Sequence, residues 1–192
     1  MVLVFGGSFN PPTKAHLQIV EKLLERYEHA RVLLVPVGDD YDKPELVPFR
    51  HRRNMLERLF QNNDRVIISD IEAEASYQGT LATLERLSDT YEDLRFVIGS
   101  DQLEGLKEWI RYEELLARYP FIVLTRKNAL TEEEAEKRFA DIEHDFTFID
   151  FDVDISATKI RRDHELRHVW LTEEVRNYIE AHNLYEMRHE HV

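Results

Sequence analysis

Residues 5 to 16 read Phe5-Gly6-Gly7-Ser8-Phe9-Asn10-Pro11-Pro12-Thr13-Lys14-Ala15-His16. These types in this order suit the binding of a polyanion. Glycines let a phosphate approach the main chain, and the start of a helix offers unpaired N–H groups and positive potential. Gly6, Gly7, Ser8 and Phe9 form the candidate phosphate turn, and His16 falls in the first turn of the helix that follows. A second run, Ile155-Ser156-Ala157-Thr158-Lys159-Ile160-Arg161, has related chemistry. Ser156 and Thr158 can cap a helix start and donate hydroxyl bonds to a phosphate, and Arg161 can swing back to offer bidentate, charge-assisted bonds. The same residues would also serve as a plain helix cap.

Both runs need elements that hold them. Val2–Phe5 is a short apolar strand before the first run, and residues 14–28 carry an amphipathic pattern with Leu17, Ile19, Val20, Leu23, Leu24 and Tyr27 on one face. Further strands are expected at Val32–Val37, Arg65–Ser69, Arg95–Ile98, Phe121–Thr125 and Phe146–Phe151. Helices are expected near 49–62, 80–91, 103–118 and 131–140, the last opened by a capping box at Thr131-Glu132-Glu133-Glu134. Strands rich in apolar and β-branched residues that alternate with helices predict an α/β fold with a doubly wound parallel sheet. From Ser156 onward the pattern is helical, with Thr172 as an N-cap. The reading is a single domain over 1–192: an α/β core over 1–155 and a small C-terminal helical lobe over 156–192, ending in a frayed tail at 188–192.

Composition limits the function classes. At 192 residues with no cysteine, the chain has no thiol nucleophile, disulfide or cysteine-based metal site, which suits a cytoplasmic protein. No signal peptide or transmembrane segment is expected. A net charge of −13 disfavours nucleic-acid and anionic-membrane partners. If the ligands are polyanions such as ATP, so acidic a chain must gather its cations near the site, and Lys14, Lys43, Arg50, Arg126, Lys159, Arg161 and Arg162 lie near the motifs. Self-association into a homo-oligomer is allowed for.

The first run resembles the G-x-F-x-P-x-[HT]-x-x-H signature of the nucleotidyltransferase superfamily, with Gly7, Phe9, Pro11, Thr13 and His16 in its slots and Ala15 where many members have glycine. The second is similar to that superfamily's I-S-S-T-x-I-R element, with Ala157 in place of the second serine. The resemblance implies a Rossmann-like nucleotidyltransferase fold. It makes His16, Thr13 and Arg161 catalytic, with His16 on the α-phosphate of ATP and Thr13 positioning it. Ser156, Thr158 and Arg161 would hold the β- and γ-phosphates.

The middle of the chain points to one branch. Phe96-Val97-Ile98-Gly99-Ser100-Asp101-Gln102-Leu103 with Leu106 and Trp109, Ser76-Tyr77-Gln78-Gly79-Thr80-Leu81, and the ending Val175, Tyr178-Ile179, Leu184-Tyr185 resemble bacterial-type nicotinate/nicotinamide mononucleotide adenylyltransferases. Gly99, Asp101 and Arg126 then fall on the ATP side. Asp101 would accept from ribose hydroxyls or a magnesium-bound water, or cap a helix. Tyr77, Thr80 and Trp109 would line the pyridine pocket, though Trp109 also fits core packing with Leu103, Leu106 and Ile110. A base in the loop after the second strand would hold the acceptor phosphate: Lys43, or Arg50, unless Arg50 to Arg53 form a solvated helix face. The expected partners are ATP and a pyridine mononucleotide, with Mg2+ bound mainly through the ATP phosphates. The resemblance leaves nicotinate against nicotinamide open. Phosphopantetheine adenylyltransferase, favoured by Thr13, and a non-catalytic nucleotide-binding regulator are the alternatives.

Overall fold

The computed structural model of the chain describes residues 1–153 and 157–186; Ser156 and the expected tail at 188–192 lie outside the described residues. The order of elements is β1 (Val2–Gly7), α1 (Lys14–Arg26), β2 (Arg31–Pro36), α2 (Phe49–Leu59), β3 (Val66–Ile68), α3 (Ile71–Glu74), α4 (Thr80–Leu87), β4 (Leu94–Gly99) and α5 (Ser100–Leu103). A 3-10 turn at Leu106–Glu108 leads to α6 (Tyr112–Arg118), β5 (Phe121–Thr125), α7 (Glu132–Arg138), β6 (Phe146–Asp150), α8 (Ala157–Arg162), α9 (His164–Trp170) and α10 (Glu173–Ala181).

The six strands form one parallel sheet in the order β3-β2-β1-β4-β5-β6. Strand order reverses between β1 and β4, which pair from Val2↔Leu94 to Phe5↔Val97. Beyond this register their carboxyl ends separate, and in open α/β sheets ligands bind at such a switch point.

The period of two along each strand supplies both faces with apolar side chains. Val2, Val4, Leu33 and Val35 join one buried cluster with Leu84, Leu115 and Phe139 from the helices on that side. Leu3, Val32 and Leu34 face the other, against Ile19, Val20 and Leu23 of α1. Each such fully buried side chain stabilises the layer by roughly 1.5–3 kcal/mol. A third cluster joins Met55 of α2 to Ile160, Val175, Tyr178 and Ile179, so the C-terminal helices rest on α2. No helix among the described residues is long and apolar enough to cross a membrane.

Two local expectations change. The helix expected over 103–118 is broken into α5, the 3-10 turn and α6. Trp109 adopts an extended ψ of 146° and Arg111 a left-handed φ of 54°. Leu103 and Leu106 are buried as helical spacing implies, but Ile110 is 58% exposed, because the chain turns Trp109 toward Phe96 and sets Ile110 against Gly79. The short α3 was not expected. Capping follows the local sequence: Thr131 accepts from the Glu134 N–H at 3.2 Å, half of the expected capping box, and Thr172 from the Val175 N–H at 3.4 Å.

Candidate active site

The first run carries β1 into α1. Thr13 caps α1 with its Oγ1 accepting from the Ala15 N–H at 3.2 Å, and its own N–H donates to Nδ1 of His16 at 2.9 Å. The third residue of the helix thus reaches back to the cap, a reciprocal arrangement in which histidine stands where glutamate or glutamine is common. Its chemical consequence is the tautomer: Nδ1 accepts, so the proton of the neutral ring sits on Nε2. Burial, then the charges of Arg126 and Lys43, lower the His16 pKa from 6.5 to about 4. At neutral pH His16 is therefore a neutral Nε2–H donor held among cations. The Phe9 ring is only 2% exposed and lies 5.0 Å from the imidazole and 5.7 Å from Phe5. Phe9 packs against His16 and also lines the cleft described next.

A cleft of about 690 Å³ opens at the carboxyl edge of β1 and β4, lined by Gly6, Gly7, Ser8, Thr13, His16 and Ala157 near the first run. Lys43 crosses its mouth to donate to Ser8 Oγ at 2.9 Å. Burial depresses the Lys43 pKa, and the nearby Arg161 and Arg52 depress it further, so cations are crowded here against their mutual repulsion. Gly99, Asp101 and Arg126 line the other side. Gly99 lies against two flexible side chains: a Cβ there would displace the Asp101 carboxylate and come within 3.3 Å of Arg126. Gly99 itself occupies the N-cap position of α5, leaving Asp101 in the first turn, 3.9 Å from an Arg126 nitrogen. Ser100 accepts from the Arg126 N–H at 3.0 Å and ties the two loops together.

Tyr77, Thr80, Thr83 and Trp109 make the aromatic end of the same cleft. The Tyr77 hydroxyl is 3.2 Å from Thr80 Oγ1, and Trp109, half-buried, meets Phe96 edge-on at 6.3 Å. Gly79 before α4 has φ 97°, a conformation that favours glycine, and its missing side chain leaves room for Ile110.

The basic helix face departs from expectation. Arg50 is exposed and does not line the cleft. Its neighbour Arg52 is fully buried, so residues 50 to 53 are not simply a solvated face. Arg52 donates to the carbonyls of Val47 (2.8 Å), Ser8 (3.1 Å) and Val37 (2.7 Å), and to Asp39 (3.2 Å). It stitches the phosphate turn to the loop that carries Lys43. No local pattern distinguishes it from Arg50 or Arg53.

The second run is brought to the first by β6 and α8. Arg161, 6% exposed, does not line the cleft; it donates to the Asn10 carbonyl at 2.8 Å, to Glu45 Oε2 at 3.2 and 3.3 Å, and to Thr158 Oγ1 at 3.2 Å. Asn10, which the sequence reading did not single out, is 1% exposed and is the hub of this junction: its side chain donates to the Glu45 carbonyl (2.9 Å) and accepts from the Tyr185 hydroxyl (2.6 Å). Thr158 is itself exposed. Ser156 lies outside the described residues.

A doubly wound parallel sheet whose switch point opens into a cation-rimmed cleft, with a neutral histidine donor at the start of its first helix, defines a nucleotide-binding α/β protein. Residues 4–163 match the cytidylyltransferase-like family, and the chain belongs to that family. Among curated relatives, a probable nicotinate-nucleotide adenylyltransferase of Acholeplasma laidlawii is 38% identical over 187 residues, covering 97% of this chain and 98% of its own. One from Caldicellulosiruptor bescii is 38% identical over 166 residues, covering 84% and 85%. Among solved structures, the Plasmodium falciparum nicotinic acid mononucleotide adenylyltransferase complexed with NaAD superposes with a TM-score of 0.78 over 96% of both chains at 23% identity, which establishes the shared fold.

Proposed function

We propose that the protein transfers AMP from ATP to nicotinate mononucleotide, or to nicotinamide mononucleotide, releasing pyrophosphate and forming the dinucleotide of NAD biosynthesis. The observation that carries this reading is the His16 tautomer: a neutral Nε2–H donor, surrounded by Arg126 and Lys43, at the mouth of a helix that begins beside a glycine turn. The aromatic end with Tyr77 and Trp109 suits a flat pyridine ring and favours it over a phosphopantetheine acceptor. The presence of both His16 and Arg161 speaks against a non-catalytic regulator.

The acceptor's 5′-phosphate oxygen attacks the α-phosphorus in line, the new P–O bond forms, and the bond to the bridging oxygen of the β-phosphate breaks with its electron pair leaving on pyrophosphate. A phosphate monoester is already a nucleophile, so the chain supplies alignment and charge stabilisation. His16 Nε2–H donates to a non-bridging α-phosphate oxygen. Thr13 holds the ring through Nδ1, and the neutral ring donates without losing a proton. Arg126 balances the polyphosphate. Arg161 takes phosphate oxygens in place of the Glu45 carboxylate, and Thr158 adds a hydroxyl. Lys43, bonded to Ser8, is the base best placed for the acceptor phosphate.

Magnesium fits this donor set as a companion of ATP: Asp101 is the carboxylate on the ATP side that would receive a water of its shell, and the ion would offset phosphate charge. The reaction fits a cytoplasmic enzyme acting on small molecules. Incubation of the protein with ATP, magnesium and each of nicotinate mononucleotide, nicotinamide mononucleotide and 4′-phosphopantetheine, with pyrophosphate and product measured, tests the reading. Dinucleotide from either pyridine substrate supports it, and product from phosphopantetheine alone overturns it.

A further inference from the structure

Glu72 of α3 is 8% exposed, yet it lines the aromatic end of the cleft beside Tyr77, Thr80, Thr83 and Trp109. A carboxyl group in such a place calls for a partner, and Thr83 provides one: its Oγ1 lies 2.5 Å from Glu72 Oε1 and 3.3 Å from the Gly79 carbonyl oxygen. A hydroxyl carries one proton and can donate it to only one of these. When Glu72 is ionised, Thr83 donates to the carboxylate. When Glu72 is protonated, it can donate to Thr83, and Thr83 can pass its own proton to the Gly79 carbonyl. Both states are hydrogen-bonded, and they differ by one negative charge at the aromatic end of the cleft.

The charged and titratable neighbours are Arg86 from α4, Asp40 from the loop after β2, and Tyr77. Arg86 pairs with Glu74 at 3.6 Å and donates to the Ile71 carbonyl at 3.3 Å. Burial raises the Glu72 pKa, the Thr83 bond and Arg86 oppose the rise, and Asp40 adds to it. The Glu72 backbone is itself pinned, because its carbonyl packs so closely on Gly38 that a Cβ there would overlap it.

We propose that Glu72, held by Thr83, is the specificity-determining residue by which the cleft discriminates an anionic from a neutral substituent on the acceptor's ring. The inference rests on the adenylyltransferase reading for its ligand class. Ionised Glu72 repels a ring carboxylate and tolerates a carboxamide; protonated Glu72 admits the carboxylate.

The test is calorimetric binding of nicotinate mononucleotide and nicotinamide mononucleotide to the full chain across pH, alongside turnover with ATP. The phosphate titrates in both ligands and cancels in the ratio of their Kd values. In the unsubstituted protein the preference for nicotinate mononucleotide falls as pH rises through the Glu72 titration. Glu72→Gln holds the preference at its low-pH value, roughly tenfold or more above the unsubstituted protein at alkaline pH, as expected for unit charges several ångströms apart at an effective dielectric near 20. Thr83→Ala removes a bond that favours the ionised form, so the fall moves to higher pH. A ratio that is flat in the unsubstituted protein, that falls equally in Glu72→Gln, or that is unshifted in Thr83→Ala overturns the inference. The Thr83 variant decides the matter should Glu72→Gln not fold. Binding of both mononucleotides without dinucleotide formation would overturn the proposed reaction, while the Kd ratio still judges Glu72. Binding of neither overturns both.

Discussion

The guanidinium of Arg161 donates to the carbonyl of Asn10 at 2.8 Å, joining two residues 151 positions apart in the chain. The contact places the second phosphate run directly against the first, and the same guanidinium holds Glu45 of the loop after β2. Glu45 Oε1 also lies 3.5 Å from Arg162. A carboxylate thus occupies the guanidinium that we propose takes the polyphosphate.

Arg161→Ala is expected to raise the KM for ATP roughly tenfold or more and to lower kcat, because charge-assisted bonds to phosphate are lost. Arg161→Lys restores the charge without the planar fork and recovers only part of the loss. Glu45→Gln removes the competing charge and lowers the KM for ATP. Steady-state kinetics with ATP varied reads all three, and unchanged constants in Arg161→Ala would remove that residue from the mechanism.

His16→Ala should lose roughly 10²- to 10³-fold in kcat with the fold retained, as for removal of one preorganised transition-state donor. The pH dependence follows from its depressed pKa. In the unfolded chain histidine titrates at its ordinary value of 6.5, and in the folded protein at about 4. Between these values the unfolded state binds the extra proton, so the His16 contribution to stability rises with pH from about 4 to 6.5 and is constant above. Its NMR ring resonances are expected to stay those of an Nε2–H neutral imidazole down to about pH 4. A midpoint near 6.5 would contradict the cap geometry.

Arg52→Ala leaves the carbonyls of Val47, Ser8 and Val37 without their buried donor. A loss of about 2–4 kcal/mol in unfolding free energy is expected, read from the denaturant midpoint. Arg50→Ala, at an exposed position, should change stability little, within about 0.5 kcal/mol. Comparable effects from the two would refute the assignment of the buried member.

Gly99→Ala is expected to separate activity from stability. The added methyl displaces the exposed Asp101 carboxylate and crowds Arg126, both able to swing away. The melting temperature should hold while the KM for ATP rises several-fold. A large fall in melting temperature would mean that the loop cannot yield.

Much of the architecture follows from patterns only a few residues long. The alternation of apolar strands with amphipathic helices is read within each segment. Thr13 and Thr172 cap the helices that immediately follow them, since a cap acts over three residues. The glycine turn with His16 one helical turn beyond it is legible for the same reason. The break of 103–118 was not, because Leu103, Leu106 and Trp109 satisfy helical spacing, and the contacts of Trp109 with Phe96 and of Ile110 with Gly79 that accompany the break are tertiary.

By itself the sequence determined the parallel α/β class, the glycine turn between β1 and α1 and the position of His16 in the first turn of α1. Only the tertiary structure decided that Arg52, not Arg50, is buried, that Asn10 is the hub between the two runs, that Arg161 meets Glu45, and that Glu72 with Thr83 reaches the aromatic end of the cleft. The physical reason is range. Caps, turns and periodicity are encoded by neighbours, whereas a pair such as Arg161 and Glu45, 116 residues apart, meets only after the strand order has folded one loop onto another.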